Sequence, residues 1–396
     1  MTISLDRSEV LDLSEIEVAP AVPAFSSALQ NCRMIGVGTA VSATSFSQSG
    51  LLDTLEIDDP KVRSVFLNSA IERRHLTLPP LRDDGVRIPE PQGDLLDKHK
   101  ALALEMGAEA LRACLKRAGA ELSDLAHLCC VTSTGFLTPG LSAHLIKELG
   151  IDRHCSRSDI VGMGCNAGLN ALNVVAGWAV AHPGELAVVV CAEACSAAYT
   201  LDGTMRTAVV NSLFGDGAAA IALVAGTGAK AGANAGTGAN AGTGDSDGAA
   251  GPRLLKFASC IIPDAVDAMR YDWDRDQGRF SFFLDPQIPY VVGAHAELTV
   301  DRLLSGTGLR RSDIEHWLVH SGGKKVIDAV VVNLGLSRYD VRHTIGVLRD
   351  YGNVSSGSFL FSYERLLEEN VTRPGEYGVL MTMGPGSTIE TALVQW

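Results

Sequence analysis

The chain alternates short, β-prone apolar runs with longer stretches whose apolar residues recur at helical spacing, and the links between successive runs are too long for hairpins. Residues 34–41, 125–131, 159–163, 186–191 and 218–224 read as strands. Residues 96–122 read as a long helix, with Leu102, Leu104, Met106, Ala110, Leu111 and Leu115 on one face, and 166–181 as a helix apolar all round, as one packed on both sides would be. This order calls for an α/β body in which crossover helices cover a mostly parallel sheet.

The pattern breaks at residues 225–251, where nine Gly and nine Ala fill 18 of 27 positions, and GTGAKAGANA is nearly repeated as GTGANAGTGD. Such a segment buries almost nothing and is expected to be a flexible surface insertion. A phosphate-binding glycine loop is disfavoured because no GxxxxGK[ST] or GxGxxG falls between a strand and a helix there. Beyond it the alternation resumes, with strands over 254–262, 316–319, 377–383 and 388–393 and helices over 290–305, 324–334 and 356–369. Residues 1–30, with Pro20 and Pro23 and no helical period, read as an N-terminal arm. The body therefore divides into two similar halves, 31–224 and 252–396.

Composition narrows the function. At 396 residues the chain can bury a large core. Its formal net charge of −13 disfavours nucleic-acid binding or charge-held membrane association, while leaving room for a local basic patch. The acidic start, with Asp6, Glu9, Asp12, Glu15 and Glu17, carries no secretory pattern, and no apolar run approaches the roughly 18–20 residues of a membrane span, so a cytoplasmic protein is expected. Nine cysteines without a CxxC pair or metal spacing read as mostly small buried hydrophobes, with no metal site.

One of them stands apart. In Gly162-Met163-Gly164-Cys165-Asn166-Ala167-Gly168 a cysteine sits where a β-like run passes into a helix, so unpaired amides and the helix dipole favour its thiolate. Met163 and Ala167 exclude the GxSxG elbow, and a packed, inert thiol is the competing account. A nucleophile of this kind wants a base, and His320 ends an apolar strand before Ser321-Gly322-Gly323, where α/β proteins expose functional groups. Asn353, in Gly352-Asn353-Val354-Ser355-Ser356, either helps to cap the following helix or offers an uncharged amide to an oxyanion.

Together with Gly384-Pro385-Gly386, these three segments resemble, in order and spacing, the chalcone-synthase-like type III polyketide synthases, which have the thiolase fold. The resemblance spans residues 33–396 apart from the insertion. It implies two βαβαβ-type halves in a layered α-β-α-β-α body, the first carrying the nucleophile and the second the His and Asn. The third-position Asn separates it from thiolases and from condensing enzymes with two histidines, and the HxGG form at His320 with the late GPG loop favours type III polyketide synthases over ketoacyl synthase III. The segment Leu213-Phe214-Gly215-Asp216-Gly217-Ala218 also fits, with Phe214 implied at the cavity mouth beside pocket residues Thr132 and Ser355. GMGCNAGLNALN and YDVRHTIGVLRDYGNVSSGSFLFSYERLLEE are most similar to bacterial members of glycopeptide-antibiotic pathways, which build one aromatic ring from four malonyl-CoA units.

The resemblance implies a thioester-forming Cys165 with His320 and Asn353 holding the enolate oxygen, malonyl-CoA and acyl-CoA intermediates as ligands, no separate cofactor, a homodimer, and downstream dehydratase-like enzymes as partners. For CoA it implies Lys61, Arg63, Gly322, Gly323 and Lys325. Departures are Ser321 in place of Pro, Lys324 and Lys325 after the glycines, and Met383 in place of Phe. The rival readings are a carrier-protein-dependent ketoacyl synthase III-like enzyme with one condensation per cycle, another type III polyketide synthase with a different starter or cyclisation, and a non-enzymatic scaffold.

Overall fold

A computed structural model describes residues 28–85, 87–88, 90–200, 204–226 and 251–396. Most of the arm expected over 1–30 and nearly all of the insertion expected over 225–251 lie outside the described residues.

Nine strands lie side by side in the order His316–Val319, Tyr377–Gly384, Thr388–Gln395, Arg253–Ile261, Cys32–Val41, Gly217–Ala225, Leu186–Glu193, Leu125–Val131 and Ser156–Ile160. Only one residue pair, Arg33 with Arg253, joins Cys32–Val41 to Arg253–Ile261. The array therefore divides at this single pair into a four-stranded and a five-stranded half. The expectation of a mostly parallel sheet is corrected. Parallel pairing is confined to the outer strands, Leu125–Val131 with both its neighbours and His316–Val319 with Tyr377–Gly384. The inner strands are antiparallel because each half closes on a strand that returns beside its first one.

Three apolar clusters fill the spaces between layers. Gln92–Ala118 and Leu141–Leu149 cover the outer face of the first sheet, burying Met106, Leu111 and Leu145 against Leu128, Val188 and Ala220. Ile288–Leu304 and Lys324–Leu334 cover the second sheet, burying Val292, Val300 and Ile327 against Trp317 and Leu393. Between the sheets lie Ala167–Ala181 and Ser358–Glu369, whose Leu172, Val175, Phe359 and Leu366 touch a core built from both. This is why the Ala167–Ala181 stretch is apolar around most of its circumference. The layer order is α-β-α-β-α.

Several boundaries move. The expected strand over 159–163 is Ser156–Ile160, since Gly162 and Gly164 adopt positive φ and turn the chain out of the sheet. The helix expected over 96–122 is Gln92–Ala118, ended by Gly119 in the left-handed conformation. Ala225 is the last residue of its strand rather than part of the insertion.

Candidate active site

The two central helices point their N-terminal ends at one place. Each is preceded by a single 3-10 turn, Gly164–Asn166 before Ala167–Ala181 and Ser355–Gly357 before Ser358–Glu369. The turns pack against each other closely enough that a Cβ on Gly168 would stand 2.2 Å from the Ser356 carbonyl oxygen. Gly384 closes the third side, where a Cβ would lie 2.3 Å from Asn166 Oδ1 and 3.0 Å from the Cys165 amide. Close backbone approach thus explains both glycines.

Cys165 is buried at this junction, its Sγ 3.5 Å from Ser355 Oγ and within reach of the Asn353 amide. Asn353 does not cap the helix, which has no side-chain cap. Its Oδ1 instead accepts from the Ser355 amide at 2.9 Å, which turns the amide NH2 the other way, toward the thiol. Asn353 is itself held across the junction, its N–H donating to Leu213 O at 2.9 Å and its carbonyl accepting from Gly215 N at 3.0 Å.

His320 follows directly on His316–Val319, anchored by its N–H to Met381 O at 2.8 Å. Its Nδ1 hydrogen-bonds Ser358 Oγ, and Ser358 Oγ donates to Ser355 O at 3.0 Å. Since Ser358 spends its proton on that carbonyl, it accepts from Nδ1–H, leaving Nε2 unprotonated as the free base. One turn, Asn353 to Ser358, therefore orients both the thiol and the imidazole.

The charge states differ from the thiolate expected from the helix end. Burial pushes the Cys165 thiol up to about 12, a shift that the Ser355 and Asn353 hydrogen bonds oppose and nearby Glu193 reinforces. Burial likewise pushes His320 down to about 3. The resting site holds a neutral thiol and a neutral imidazole.

Glu193 has no counterpart in the sequence reading. It ends the wholly buried strand Leu186–Glu193. Its Oε1 accepts from Ser355 Oγ at 3.2 Å and Ser356 Oγ at 2.5 Å, and its Oε2 from Ser133 N at 2.8 Å, Thr134 Oγ1 at 3.2 Å and Thr132 Oγ1 at 3.5 Å. Burial raises its pKa against the pull of these donors. His99, fully buried and pushed down to about 4 by desolvation, meets Thr134 Oγ1 at 3.1 Å. The available signals were a carboxylate closing an apolar strand and the hydroxyls of Ser355, Ser356 and Ser358.

A cavity of about 300 Å³ opens on the thiol, lined by Cys165, Ser355, Ser133, Thr134, Cys195, Tyr199, Val210 and Phe214 together with Met269, Tyr271 and Phe282. Thr132, expected in the pocket, is instead buried outside this lining with its hydroxyl turned to Glu193. Phe214 is held through its carbonyl, which accepts from Arg74 Nη1 at 2.6 Å and from the Tyr199 hydroxyl. Arg74 is fully buried and also donates to Asn211 O, Tyr199 and Gln48.

The residues expected at CoA divide. Gly322 and Gly323 precede the Lys324–Leu334 helix, whose first turn has no side-chain cap, and Gly323 lies against Leu213 next to Phe214. Lys325 is exposed on that turn, whereas Lys324 is paired with Asp328. Lys61 is exposed on Pro60–Leu67, a helix packed on Met205–Leu213, so both groups flank the same element. Arg63 departs from the set, because its guanidinium binds Ile57 O at 2.9 Å and Asp53 at 3.3 Å. Ser321 and Met383 are buried, Ser321 Oγ reaching Gly352 O at 3.3 Å. Among the described residues no cluster of His, Cys, Asp and Glu is arranged to hold a metal, and no helix is long and apolar enough to cross a membrane.

Comparison with known proteins accords with this geometry. Residues 69–227 match the N-terminal domain, and 257–396 the C-terminal domain, of chalcone and stilbene synthases. The chain is 77% identical over 399 aligned residues to 3,5-dihydroxyphenylacetyl-CoA synthase of Streptomyces toyocaensis, covering 100% of this chain and 98% of that one. It is 74% identical over 381 residues to the enzyme of the same name from Amycolatopsis orientalis, covering 96% and 98%. The crystal structure of 1,3,6,8-tetrahydroxynaphthalene synthase from Streptomyces coelicolor A3(2), a bacterial type III polyketide synthase, superposes with a TM-score of 0.79 at 27% identity, over 92% of this chain and 99% of that one. The layered body is the thiolase fold these enzymes share, and the chain belongs to the chalcone and stilbene synthase family, the type III polyketide synthases.

Proposed function

We propose that the chain condenses four malonyl-CoA units on Cys165 and closes the tetraketide to 3,5-dihydroxyphenylacetyl-CoA. The observation that carries the reading is the shared turn Asn353 to Ser358, which contacts the Cys165 thiol through Ser355, holds the His320 imidazole through Ser358 and supplies the Asn353 amide, with Cys165 and Ser355 opening on the cavity.

His320 Nε2 takes the Cys165 proton as Sγ attacks the thioester carbonyl, and CoA leaves as the acyl group passes to sulfur. The proton moves between two neutral groups, so the buried site gains a facing pair of opposite charges rather than one isolated charge. A further malonyl-CoA then loses CO2, and the enolate oxygen is met by the Asn353 amide and the protonated His320. The enolate carbon attacks the acyl-Cys165 carbonyl and the carbon–sulfur bond to Cys165 breaks, so the chain, two carbons longer, stands on the extender's CoA, from which it returns to Cys165, releasing CoA, before the next extension. Repetition gives the tetraketide. The small volume of the cavity favours a single-ring product.

CoA is proposed to lie across Met205–Leu213, its phosphates drawn to Lys61, Lys325 and the open first turn at Gly322 and Gly323; Arg63, already paired, contributes only to the local charge. The enzyme is proposed to act as a homodimer in the cytoplasm, with dehydratase-like enzymes acting on its product. Exposed apolar side chains of the first half support the dimer: Phe136 is 70%, Val161 55% and Val174 52% exposed, and the outer edge of Ser156–Ile160 is unpaired among the described strands.

Incubating the protein with malonyl-CoA alone and identifying the products by mass spectrometry tests the reading. 3,5-Dihydroxyphenylacetyl-CoA or its free acid is expected; a product that requires a different starter, or consumption of a single extender per turnover, would overturn it.

A further inference from the structure

The hairpin Met269–Asp274 and Arg279–Leu284 forms one wall of the cavity. Its register pairs Met269 with Leu284, Tyr271 with Phe282 and Trp273 with Phe280, so these six side chains share one face. Phe282 meets Phe214 edge-on at 5.8 Å, and Tyr271 leans on Phe282 at 5.1 Å. On this otherwise apolar ladder Tyr271 alone carries a hydroxyl.

Tyr271 is 41% exposed, yet its hydroxyl is deeply placed, with Cys195, Glu193 and Cys165 as its electrostatic neighbours. The two facts agree if its open surface is the cavity it lines. Burial first, then those three groups, push its pKa above the ordinary tyrosine value, so it is a neutral donor at every working pH. The hydroxyl takes no hydrogen bond among the described residues, and neither does Ser133 Oγ on another wall of the same cavity. A phenyl ring would fill the same volume without leaving a donor unused in an apolar space.

A poly-β-ketone carries a carbonyl on every second carbon, and each needs a donor once water is excluded. Left unguided, such a chain closes through an enol oxygen to a pyrone lactone; carbon–carbon closure requires two chosen carbons to be held together. We infer that Tyr271 is a specificity-determining residue whose hydroxyl donates to one ketone oxygen of the completed polyketide chain in the cavity, holding it in the fold from which the aromatic ring closes. No proton leaves Tyr271, which acts as a fixed donor. The inference rests on the malonyl-CoA reading and specifies which wall of the site directs its cyclisation.

The test compares Tyr271→Phe and Tyr271→Ala with the parent, on malonyl-CoA alone, reading the ratio of aromatic to pyrone products by mass spectrometry. In Tyr271→Phe the ratio is expected to fall about tenfold, as loss of one neutral hydrogen bond produces. A parental ratio in Tyr271→Phe with a changed one in Tyr271→Ala would show that only ring volume matters and would overturn the inference while leaving the proposed function intact. If the parent itself forms no aromatic product, the proposed function fails, and this inference with it.

Discussion

A proton passed from a neutral Cys165 thiol to a neutral His320 imidazole leaves the net charge of a buried space unaltered, and the turn Asn353 to Ser358 is what joins the two groups, touching the thiol through Ser355 and the imidazole through Ser358. The oxyanion role is the one proposed for Asn353, whose Oδ1 is already committed to the Ser355 amide. Asn353→Ala should lower product formation by roughly 100- to 1,000-fold, the usual cost of one oxyanion donor, while iodoacetamide still alkylates Cys165. Parental turnover in that variant would remove Asn353 from the mechanism. His320 also leaves a mark on stability. Its folded pKa of about 3 lies below the 6.5 of an unfolded histidine, so the unfolded chain binds the extra proton first. The contribution is fully present above pH 6.5 and is lost as pH falls toward 3. Urea unfolding between pH 6 and pH 4.5 should accordingly show a shallower loss of stability in His320→Gln than in the parent, by up to ~1.4 kcal/mol per pH unit. All three of these residues could be picked out from local context, a cysteine before a helix, a histidine ending a strand, an asparagine in a glycine turn. Glu193 could not, because a carboxylate in an apolar run becomes meaningful only when Ser133, Thr134, Ser355 and Ser356 converge on it.

At the scale of elements, the site depends on two helix ends being pressed together. Gly168→Ala would place a methyl carbon 2.2 Å from the Ser356 carbonyl, a contact with backbone that cannot rotate away. We expect about 1–3 kcal/mol of destabilisation by urea unfolding and loss of product formation out of proportion to it, since the turns bearing Cys165 and Asn353 would part. Arg74 has the corresponding role for the segment that carries Phe214. Its guanidinium serves Asn211 O, Phe214 O, Tyr199 and Gln48 with a planar fork that a lysine lacks. Arg74→Lys should therefore lower the thermal midpoint, with a stability loss on the order of 1–3 kcal/mol as buried acceptors go unpaired, and restoring charge alone should not rescue it.

For the whole molecule, the unpaired edge of Ser156–Ile160 and the exposed Val161 belong to the half whose central helix also leaves Asn173, Val174 and Gly177 exposed. If a second copy covers them, Val174→Asp should shift the sedimentation coefficient from dimer toward monomer, whereas a parent that sediments as a monomer would remove the dimer from the proposal.

Most strands, the long Gln92–Ala118 helix and the two central helices, Ala167–Ala181 apolar nearly all round and Ser358–Glu369 amphipathic, follow from periodicity, because burial on one face or two leaves its imprint along the chain. The amino-acid pattern also marks out the family and the three residues proposed to react. Strand direction was not legible: Gly217–Ala225 and Thr388–Gln395 look like any buried strand, and only their partners reveal that they run antiparallel. The protonation of Cys165 was not legible either. A helix end favours thiolate, but the surrounding body removes the water that would solvate it, and burial pushes the thiol up against the hydrogen bonds from Ser355 and Asn353. The same holds for the cavity, whose walls come from segments as distant as Ser133, Tyr271 and Ser355. Local sequence sets which groups a segment can offer; which of them meet, and in what dielectric, is decided only when the layers close.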